Sequence, residues 1–344
     1  MINKLIKKIT YRSSRMIREY YYSRFPNKEL MSILKSKLVW GLTLETCNIC
    51  NANCVFCAYQ YQKRKKCIMA NDLFKEIIHN YVSIGGGDLR LCSLVGDPLL
   101  DPNFIDHVKF ARQFINIKAI STVTNIINLH NIGVEKLLTS GINEINISTS
   151  GFDYEMHERI YRSNKFSYMK DNLINILRSN DKLGRPVKIS ISLRIDKKLT
   201  EVLKDNDFRE IQRLADSVVA NYFFDDWGGR INSAELPQGM KIRPRIFQFL
   251  RKRNPCSMLY GSLAVLSNGT ATLCGCRDLN GDSELVLGDV RKKSLNDLYN
   301  SEYSNKLRSD WLSGKKIPDI CKNCTHYSSF AFNMLKEVRS NIDY

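Results

Sequence analysis

Short apolar runs alternate with stretches of helical periodicity from Val39 onward, a pattern that indicates repeated βα units and a parallel sheet. We predict strands near residues 39–46, 89–95, 118–124, 144–150, 187–195 and 217–224. Helical periodicity lies between them near residues 71–84, 103–115, 133–140, 167–180 and 205–215. Asn71-Asp72 and Asp101-Pro102-Asn103 stand where helix caps and first-turn prolines belong. Six such units are too few for a closed eight-stranded barrel.

Residues 1–35 show a different pattern, in which apolar side chains follow one face of a basic helix. Ile2, Leu5, Ile6 and Ile9 have the i, i+3, i+4, i+7 spacing. The basic side chains of the segment are Lys4, Lys7, Lys8, Arg12, Arg15, Arg18 and Arg24. Such a helix is able to lie on an anionic membrane surface as a peripheral contact. The alternative, which we favour, is a helix packed on the body of the protein with its charges in water.

The composition constrains the size and the compartment. A chain of 344 residues with 43% hydrophobic residues suits one large or two modest domains with a real core. No apolar run is long enough for a transmembrane helix, and the N-terminus lacks the features of a secretory signal. Eleven cysteines, an odd number, argue against a disulfide framework. Reduced thiols in a cytoplasmic protein fit better.

The formal net charge of +17 raises the question of nucleic-acid binding. The basic residues are scattered along the chain, however, and no signature of a DNA- or RNA-binding module is visible. A solvated basic surface explains the charge equally well, and so does an anionic substrate that is phosphorylated or linked to a nucleotide. We therefore expect no specific nucleic-acid partner.

Three cysteines stand in the loop after the first predicted strand, at Cys50, Cys54 and Cys57. Thiolates are soft ligands that select zinc, Cu(I) or iron–sulfur clusters. A four-iron cluster normally takes four cysteines, so a loop that supplies three leaves one iron open to an outside ligand. The alternatives are a structural zinc site, for which Cys47 and Cys50 have a suitable spacing, and buried cysteines without a metal.

This spacing, with Phe56 before the last cysteine, resembles that of the radical S-adenosylmethionine (radical SAM) enzymes. The resemblance implies that the open iron binds the amino and carboxylate groups of S-adenosylmethionine. Reductive cleavage then gives a 5′-deoxyadenosyl radical. The resemblance also implies an α/β fold, an open six-stranded partial (βα)6 TIM-like barrel. In parallel barrels the chemistry gathers where the strands end, which is where this loop falls.

The resemblance extends to the ends of later strands and implies which residues hold the cofactor. Gly96-Asp97-Pro98 is similar to part of the family's Gly-Gly-Glu-Pro motif, although aspartate is one methylene shorter than the usual glutamate. Strands three and four end in segments like those that contact the nucleoside, and strand five ends in an arginine able to pair with a carboxylate. The predicted cofactor-binding residues are Phe56, Gly96, Asp97, Pro98, Asn125, Ser148 and Arg194.

Asp225, Asp226 and Trp227 follow the sixth predicted strand. Paired acids beside an aromatic ring at a barrel mouth are able to bind sugar hydroxyls or to act as a base. An acidic turn before Gly-Gly is also common in a linker. The chain up to Pro255 is interpreted as a linker with one basic helix, from Arg245 to Arg253.

A second set of cysteines begins at Cys256, in a region with a predicted hairpin around Asn268-Gly269 and a predicted helix over 295–307. The pattern resembles the SPASM and shorter twitch extensions of radical SAM enzymes, small Cys-rich α+β domains that hold auxiliary clusters. The resemblance implies one further 4Fe-4S cluster, with Cys276 as a competitor for Cys274. Four zinc-binding cysteines are the alternative. The predicted ligands are Cys256, Cys274, Cys321 and Cys324.

These patterns divide the chain into a basic extension (1–35), the partial barrel (36–230), a linker (231–254), the SPASM/twitch domain (255–330) and a tail (331–344). Cys47, Cys67 and Cys92 remain without a predicted metal, and we expect them to be small buried residues.

The resemblance implies an oxidoreductase that removes hydrogen from a sugar, cyclitol or nucleotide-linked glycan precursor, with the auxiliary cluster carrying electrons. A flavodoxin or ferredoxin is the implied electron donor. Modification of a peptide or protein is the first alternative. The second is a scaffold without catalytic activity that binds nucleic acid through its basic surface, with iron–sulfur or zinc sites. The sequence does not identify the substrate.

Overall fold

A nine-stranded sheet organises the computed structural model, which describes residues 41–244, 252 and 255–328. Its first six strands, β1 to β6, are Gly41–Leu44, Gly87–Leu91, Ile117–Thr124, Glu144–Thr149, Lys188–Arg194 and Ser217–Asn221. They lie side by side in chain order, and every neighbouring pair is parallel. Each overlaps a strand that the hydrophobic pattern predicts, so the predicted open α/β sheet is confirmed.

The helices that cover this sheet present apolar stripes to it. In the described residues of the barrel, helices α1 to α8 are Asn71–Ser83, Phe104–Arg112, Leu129–Ile132, Val134–Leu138, Tyr154–Tyr161, Phe166–Lys182, Leu199–Val202 and Asn206–Ile211. In α6 the buried side chains Met169, Leu173 and Ile176 recur at helical spacing, and Met169 accepts a hydrogen bond from Thr149 of β4. The five predicted helices are all present within a few residues of their predicted bounds.

The short helix α5 was not predicted, because a single two-turn helix gives little periodicity. Asp153 is its N-cap and accepts a hydrogen bond from the backbone N–H of Met156 at 2.8 Å. Arg162 ends it in the left-handed conformation, with φ of 47°. This helix matters for the site, since its last turn faces the cysteine loop.

The two faces of the central strands differ in polarity. On β4 and β5 the fully buried aliphatic residues are Ile145, Ile147, Ile189, Ile191 and Leu193, which alternate with residues that are less buried. The second face is polar, and its paired residues are Asn146 with Ser190, Ser148 with Ser192, and Arg194 with Asn221. Its most C-terminal members reach the level of the cysteine loop, because Arg194 lies over the ring of Phe56 at 5.6 Å.

The C-terminal region continues the barrel sheet. Strand β9 (Ser262–Val265) pairs in parallel with β1, and β10 (Thr270–Thr272) and β11 (Val286–Asp289) extend the sheet in antiparallel fashion. The predicted hairpin is confirmed, and Gly269 adopts the positive φ of 89° that its turn requires. The sequence predicts a small domain at this end, over residues 255–330, and in the structure this region shares one sheet with the barrel.

The predicted helix over 295–307 is wrong in its bounds, because the structure has two helices there, α10 (Leu295–Tyr299) and α11 (Glu302–Leu312). The break comes at Ser301, which caps α11 by accepting a hydrogen bond from the N–H of Ser304 at 3.2 Å. Two more short helices flank them, α9 (Met258–Gly261) and α12 (Asp319–Lys322).

The predicted linker contains one strand, β8 (Lys241–Ile242), which pairs in parallel with β7 (Phe223–Phe224) at the end of the predicted barrel. Three predictions lie outside the described residues: the basic helix of 1–35, the helix from Arg245 to Arg253 except Lys252, and the tail 331–344. Within the described ranges, no helix is both long and apolar enough to cross a membrane.

Candidate active site

The loop with the first three cysteines leaves β1 at the carboxyl end of the parallel strands. The last turn of α5 holds this loop by main-chain hydrogen bonds. Asn53 N donates to Tyr161 O at 3.0 Å, and Val55 N donates to Ile160 O at 2.9 Å. The last carbonyl groups of a helix have no hydrogen-bond partner inside the helix. These two bonds therefore give the carbonyls at the end of α5 a partner and at the same time hold the loop in place.

Cys50, Cys54 and Cys57 are largely withdrawn from solvent, and this burial decides their protonation. Desolvation raises the pKa of all three thiols, that of Cys50 to about 12, and the carboxylate of Asp97 adds to the rise at Cys50. Without a metal the neutral thiol is therefore favoured, whereas coordination to iron deprotonates a thiol outright. Three buried thiols on one loop fit a soft metal group.

A zinc ion and a four-iron cluster arrange their cysteine ligands differently. Among the described residues, no three His, Cys, Asp or Glu side chains are grouped closely enough to hold one metal ion. A zinc ion needs its four ligands around one point. In a four-iron cluster the cysteines bind different iron atoms, so their sulfur atoms stay further apart.

Asp97 lies under the loop, and its carboxylate is fully engaged. It accepts hydrogen bonds from Thr124 Oγ1 at 2.9 Å and from the backbone N–H groups of Asn125 at 2.7 Å and Leu99 at 3.0 Å. Through Leu99 it caps the short turn that begins at Pro98. These contacts support a positioning role, in which Asp97 ties the end of β3 to the turn. A direct contact between Asp97 and the methionine ammonium group stays a prediction.

Gly96 brings this turn against the cysteine loop. Its φ is 147°, and an added Cβ would lie 3.0 Å from both Asn48 C and Ile49 O. The neighbouring N–H of Asp97 donates to Ile49 O at 2.8 Å. A glycine is therefore required for the backbones to meet here.

Asn125 contacts the first cysteine directly. Its side-chain Nδ2 donates to Asn51 Oδ1 at 2.8 Å and points at Cys50 Sγ at 3.9 Å. Hydrogen bonds to cluster sulfur atoms are one of the ways in which proteins set the reduction potential of a cluster. The geometry places Asn125 next to the cluster ligand, in addition to its predicted contact with the nucleoside.

Phe56 and Ser148 both contact Tyr161. The ring of Phe56 meets that of Tyr161 edge-on at 5.6 Å and stacks on Phe224 at 5.2 Å. The hydroxyl groups of Ser148 and Tyr161 share a hydrogen bond of 3.0 Å. Ser148 therefore stands at the predicted cofactor site, and its hydroxyl already has one protein partner.

Arg194 lies above the rings of Phe56 and Phe224, at 5.6 and 5.9 Å from their centroids. Its buried Nε has no hydrogen-bond partner among the described residues. The positive charge acts on both Cys54 and Cys57, which places the guanidinium beside the cysteine loop. An unpaired arginine in this position fits the predicted pairing with the methionine carboxylate.

The predicted acidic pair is engaged in protein contacts. Asp225 forms an ion pair with Arg277 Nε at 2.7 Å and accepts a hydrogen bond from the hydroxyl of Thr325. Burial acts to raise the pKa of Asp225, but the charge of Arg277 and these hydrogen bonds lower it overall. Asp225 is therefore an ionised structural partner, and the contacts do not support the prediction that it acts as a base. Asp226 accepts a hydrogen bond from Gly228 N at 3.1 Å.

Trp227 joins the two cysteine regions. Its indole Nε1 donates to the carbonyl of Phe56 at 3.1 Å, within the first cysteine loop. The guanidinium of Arg277 lies 4.3 Å above its ring, and Arg277 follows Cys276 directly. The sequence analysis overlooked Arg277, although an arginine next to a predicted cluster cysteine was a signal that could have found it.

The second set of cysteines lines one apolar pocket. The pocket is lined by Leu259, Trp311 and His326 together with Cys256, Cys274, Cys276, Cys321 and Cys324. Desolvation raises the pKa of each of these thiols. Both Cys274 and Cys276 reach the pocket, so the competition between them as ligands stays open.

A buried lysine holds the last cysteine pair. Lys252 is 3% exposed, and its Nζ donates to the carbonyls of Cys321 at 2.8 Å and Lys322 at 2.6 Å. The carbonyl of Lys252 in turn accepts from the indole of Trp311 at 2.9 Å. The ammonium group thus satisfies the C-terminal carbonyls of α12 and fixes the loop that carries Cys324.

Glu45 connects the strand ends with the C-terminal hairpin. It pairs with Arg64 through two bonds of 2.6 and 2.9 Å, and the two side chains are 2% and 5% exposed. Glu45 also accepts from Ser267 N at 3.0 Å, next to the hairpin turn, and from Leu94 N at 3.1 Å, after β2. The sequence analysis overlooked this pair, since nothing in the local pattern shows that the two residues meet.

The three cysteines without a predicted metal do not line the pocket of the second set. Cys47 is fully buried, in line with the expectation, whereas Cys67 and Cys92 are only partly buried. The thiol of Cys67 contacts Ser267 Oγ at 3.3 Å.

Family models match both cysteine regions. A model of the radical SAM superfamily matches residues 44–193, and a model of the SPASM iron–sulfur cluster-binding domain matches residues 256–325. Between them, the two matches contain all the cysteines that were predicted to hold clusters.

Among curated proteins, the chain is similar to GTP 3′,8-cyclases. The enzyme of Vibrio vulnificus strain YJ016 is 28% identical over 130 residues, which is 36% of this chain and 38% of that protein. The enzyme of Shewanella denitrificans is 27% identical over 128 residues, 36% of this chain and 37% of that protein. The match thus spans less than two fifths of these relatives.

Solved structures share the fold over most of the chain. The crystal structure of BtrN in complex with AdoMet and 2-DOIA is 17% identical, with a TM-score of 0.57, and the match covers 86% of this chain and 96% of BtrN. Streptococcus suis SuiB bound to precursor peptide SuiA is 15% identical, with a TM-score of 0.58, 82% of this chain and 70% of SuiB. The structure of anSMEcpe with bound AdoMet is 15% identical, with a TM-score of 0.54, and the match covers 88% of this chain and 99% of anSMEcpe. At these identities the similarity shows the fold.

Proposed function

We propose that this chain, which belongs to the radical SAM superfamily and carries a C-terminal SPASM domain, is an oxidoreductase that acts on a hydroxylated small molecule. The substrate class is a sugar, a cyclitol or a nucleotide-linked glycan precursor. The reaction removes hydrogen from a carbon atom that carries a hydroxyl group.

The cofactors are a 4Fe-4S cluster with S-adenosylmethionine and an auxiliary iron–sulfur cluster. When bound, they supply a carbon-centred radical that takes a hydrogen atom and a second centre that exchanges single electrons. Cys50, Cys54 and Cys57 hold the first cluster, and Arg194 pairs with the methionine carboxylate. The cysteines of the apolar pocket hold the auxiliary cluster.

The observation that carries the proposal is the polar face of the sheet below the cysteine loop. Asn146, Ser192 and Asn221 present amide and hydroxyl groups on this face. The residues that alternate with them along the strands point to the opposite face of the sheet. A substrate rich in hydroxyl groups finds both donors and acceptors there. An apolar peptide side chain would leave the same groups without partners, which is costly.

The overall change balances as the loss of two hydrogens. The carbon atom would give up one hydrogen atom to the 5′-deoxyadenosyl radical, and the remaining fragment would give one electron to the auxiliary cluster and its hydroxyl proton to solvent, which leaves a carbonyl group. The residues of the chain orient the substrate and exclude water. Trp227 and Arg277 contribute by closing the space between the two cysteine regions.

The proposal is tested with anaerobically reconstituted protein, S-adenosylmethionine and a reductant. Free cyclitols, nucleotide-linked sugars and synthetic peptides are offered in separate reactions. We expect a nucleotide-linked sugar or a cyclitol to raise 5′-deoxyadenosine formation above the level without substrate. The same compound should appear with a mass lower by two hydrogens.

The result that would overturn the proposal is stimulation by peptides alone. That outcome would assign the chain to peptide modification, since SuiB and anSMEcpe have both been solved with a bound peptide. No cleavage of S-adenosylmethionine under any condition would instead favour a scaffold without catalytic activity.

A further inference from the structure

Two partly buried arginines at the barrel mouth lack a charged partner. Neither Arg194 nor Arg243 forms an ion pair or a side-chain hydrogen bond with any residue in the described part of the chain. By contrast, Arg277 is paired with Asp225 and Arg64 is paired with Glu45. Taking a guanidinium out of water without a partner is unfavourable, so such a group is expected to meet an anion when the site is filled.

Arg243 lies between the two cysteine regions. It follows β8, and its backbone N–H donates to the carbonyl of Phe224 at 2.8 Å. Phe224 is also the residue whose ring lies under Arg194. The charges that act on Arg243 include those of Arg194 on the first side and Cys324 on the second.

Two positive and two negative groups act on Arg243, namely Arg194 and Arg277 against Asp225 and Cys324. The carboxylate of Asp225 is already paired with Arg277 at 2.7 Å. Arg90, on β2, adds a further positive charge that acts on His326 beside the auxiliary pocket. An anion that enters this space therefore finds several arginines and a carboxylate that is already paired.

S-adenosylmethionine brings only one carboxylate to the site. Arg194, over the aromatic ring of Phe56 in the cysteine loop, is the residue placed to meet it. Once that pair has formed, Arg243 still has no ion pair with any side chain in the described part of the chain. An anionic group of the substrate would supply the missing partner.

We propose that Arg243 binds an anionic oxygen group of the substrate, either a phosphate or a carboxylate, and so selects charged over neutral hydroxylated compounds. This inference rests on the proposed function and narrows its substrate class to the charged members. A guanidinium suits this task because its planar donors are able to bind two oxygen atoms of one group at the same time.

The test measures binding without turnover, on anaerobically reconstituted protein with saturating S-adenosylmethionine so that Arg194 is already occupied. Pyrophosphate and malonate are titrated by calorimetry at low ionic strength, as the phosphate and the carboxylate probe. We expect the wild-type protein to bind at least one of them. Arg243→Gln should weaken that binding about tenfold or more, since a hydrogen bond between two charged groups is lost.

Arg209→Gln is the matched control, because Arg209 is an exposed arginine on α8 that bonds only to Asn206 at 2.7 Å among the described residues. The Arg209→Gln protein should bind both probes with the same affinity as the wild-type protein. Equal weakening in Arg209→Gln and Arg243→Gln, or no binding of either probe at millimolar concentration, would overturn the inference. Preference for pyrophosphate or for malonate identifies the phosphate or the carboxylate as the group bound.

A second measurement on the wild-type protein covers the case in which Arg243→Gln fails to fold. Phenylglyoxal modifies accessible arginines, and mass spectrometry of the digested protein reports each site. The bound probe should slow the modification of Arg243 and leave that of Arg209 unchanged. Equal rates at Arg243 with and without the probe would contradict the inference. Failure of the proposed function would be seen separately, as missing 5′-deoxyadenosine.

Discussion

The two cysteine sites differ in how the chain brings their thiols together. Cys50, Cys54 and Cys57 stand within one short loop, which is fixed by the last turn of α5. The second site draws its cysteines from three distant segments, around Cys256, around Cys274 and around Cys321. A local site forms wherever its loop forms, whereas the second site exists only when the surrounding region is folded.

Buried polar contacts replace the missing sequence proximity at the second site. Arg308, which is 6% exposed, donates to the carbonyls of Leu259 at 2.7 Å and Tyr299 at 2.8 Å. Together with Lys252 and Trp311, it ties the three segments into one pocket. The lesson is that the first site is specified by spacing, and the second by long-range packing.

The largest expected effect separates the two sites by iron content. The wild-type protein should hold about eight irons per chain after anaerobic reconstitution, and the Cys50/Cys54/Cys57→Ala variant about four. This variant should form no 5′-deoxyadenosine, because it has no cluster to cleave S-adenosylmethionine. Iron and sulfide analysis with chromatography of the products measures both quantities.

Cys92→Ala is the control for that experiment, since Cys92 lies in neither site and should leave the iron content unchanged. The Cys321/Cys324→Ala variant should also fall to about four irons and still cleave S-adenosylmethionine. If the wild-type protein holds only four irons, or zinc in the second site, the proposed auxiliary cluster does not exist. The electron path that depends on this cluster would then be wrong as well.

The second prediction concerns the Glu45–Arg64 pair, which joins the first loop to the C-terminal hairpin. Glu45→Gln leaves the Arg64 charge buried with weaker partners and should destabilise the protein by about 3–5 kcal/mol. Glu144→Gln is the matched control, because its pair with Lys188 is more than half exposed. The control should cost less than about 1 kcal/mol.

Urea unfolding of the reconstituted proteins, followed by circular dichroism, measures both changes. If the Glu45→Gln protein loses both stability and the iron of the auxiliary cluster, the two regions fold as one unit. Equal stability of Glu45→Gln and Glu144→Gln would contradict the role of Glu45 as a connection between the regions.

Arg277 is the residue through which one substitution should affect both sites. Its charge acts on Cys57 of the first loop and on Cys274, Cys276 and Cys324 of the pocket. Removal of a positive charge makes the addition of an electron less favourable. Arg277→Gln should therefore lower the reduction potentials of both clusters, by on the order of tens of millivolts.

Redox titration monitored by electron paramagnetic resonance resolves the two clusters. Arg209→Gln, far from both sites on α8, should leave both potentials unchanged. A shift at only one cluster would show that Arg277 does not lie between the sites as the structure indicates.

The sequence predicted the sheet well because the sheet depends on local pattern. The six parallel strands follow from alternating apolar runs such as Ile145 and Ile147, and the cysteine loop follows from its spacing alone. Helix α5 was not predicted because two turns give too little periodicity. The break before Ser301 was not predicted because the pattern was interpreted as one helix over 295–307, which left Ser301 inside the helix and not at its N-cap.

Contacts between distant residues could not be predicted in the same way. The parallel pairing of β9 with β1 joins Gly41 to Ser262, and no local pattern indicates which strand edge accepts the hairpin. The ion pair of Asp225 with Arg277 likewise depends on the folded chain. For this reason the acidic pair was predicted as a sugar or proton site, whereas the structure shows Asp225 in a structural contact.

The smallest expected effect is confined to one site and completes the comparison. Asn125 Nδ2 lies 3.9 Å from Cys50 Sγ, and the loop holds Asn125 through its hydrogen bond with Asn51 at 2.8 Å. Asn125→Ala removes the donor near the sulfur atom, so the first cluster should become harder to reduce by a smaller amount than in Arg277→Gln. The auxiliary cluster should keep its potential, because its cysteines lie in the other region. The same redox titration measures both clusters, and an equal shift at both would mean that the two sites respond as one, against the separation argued from their construction.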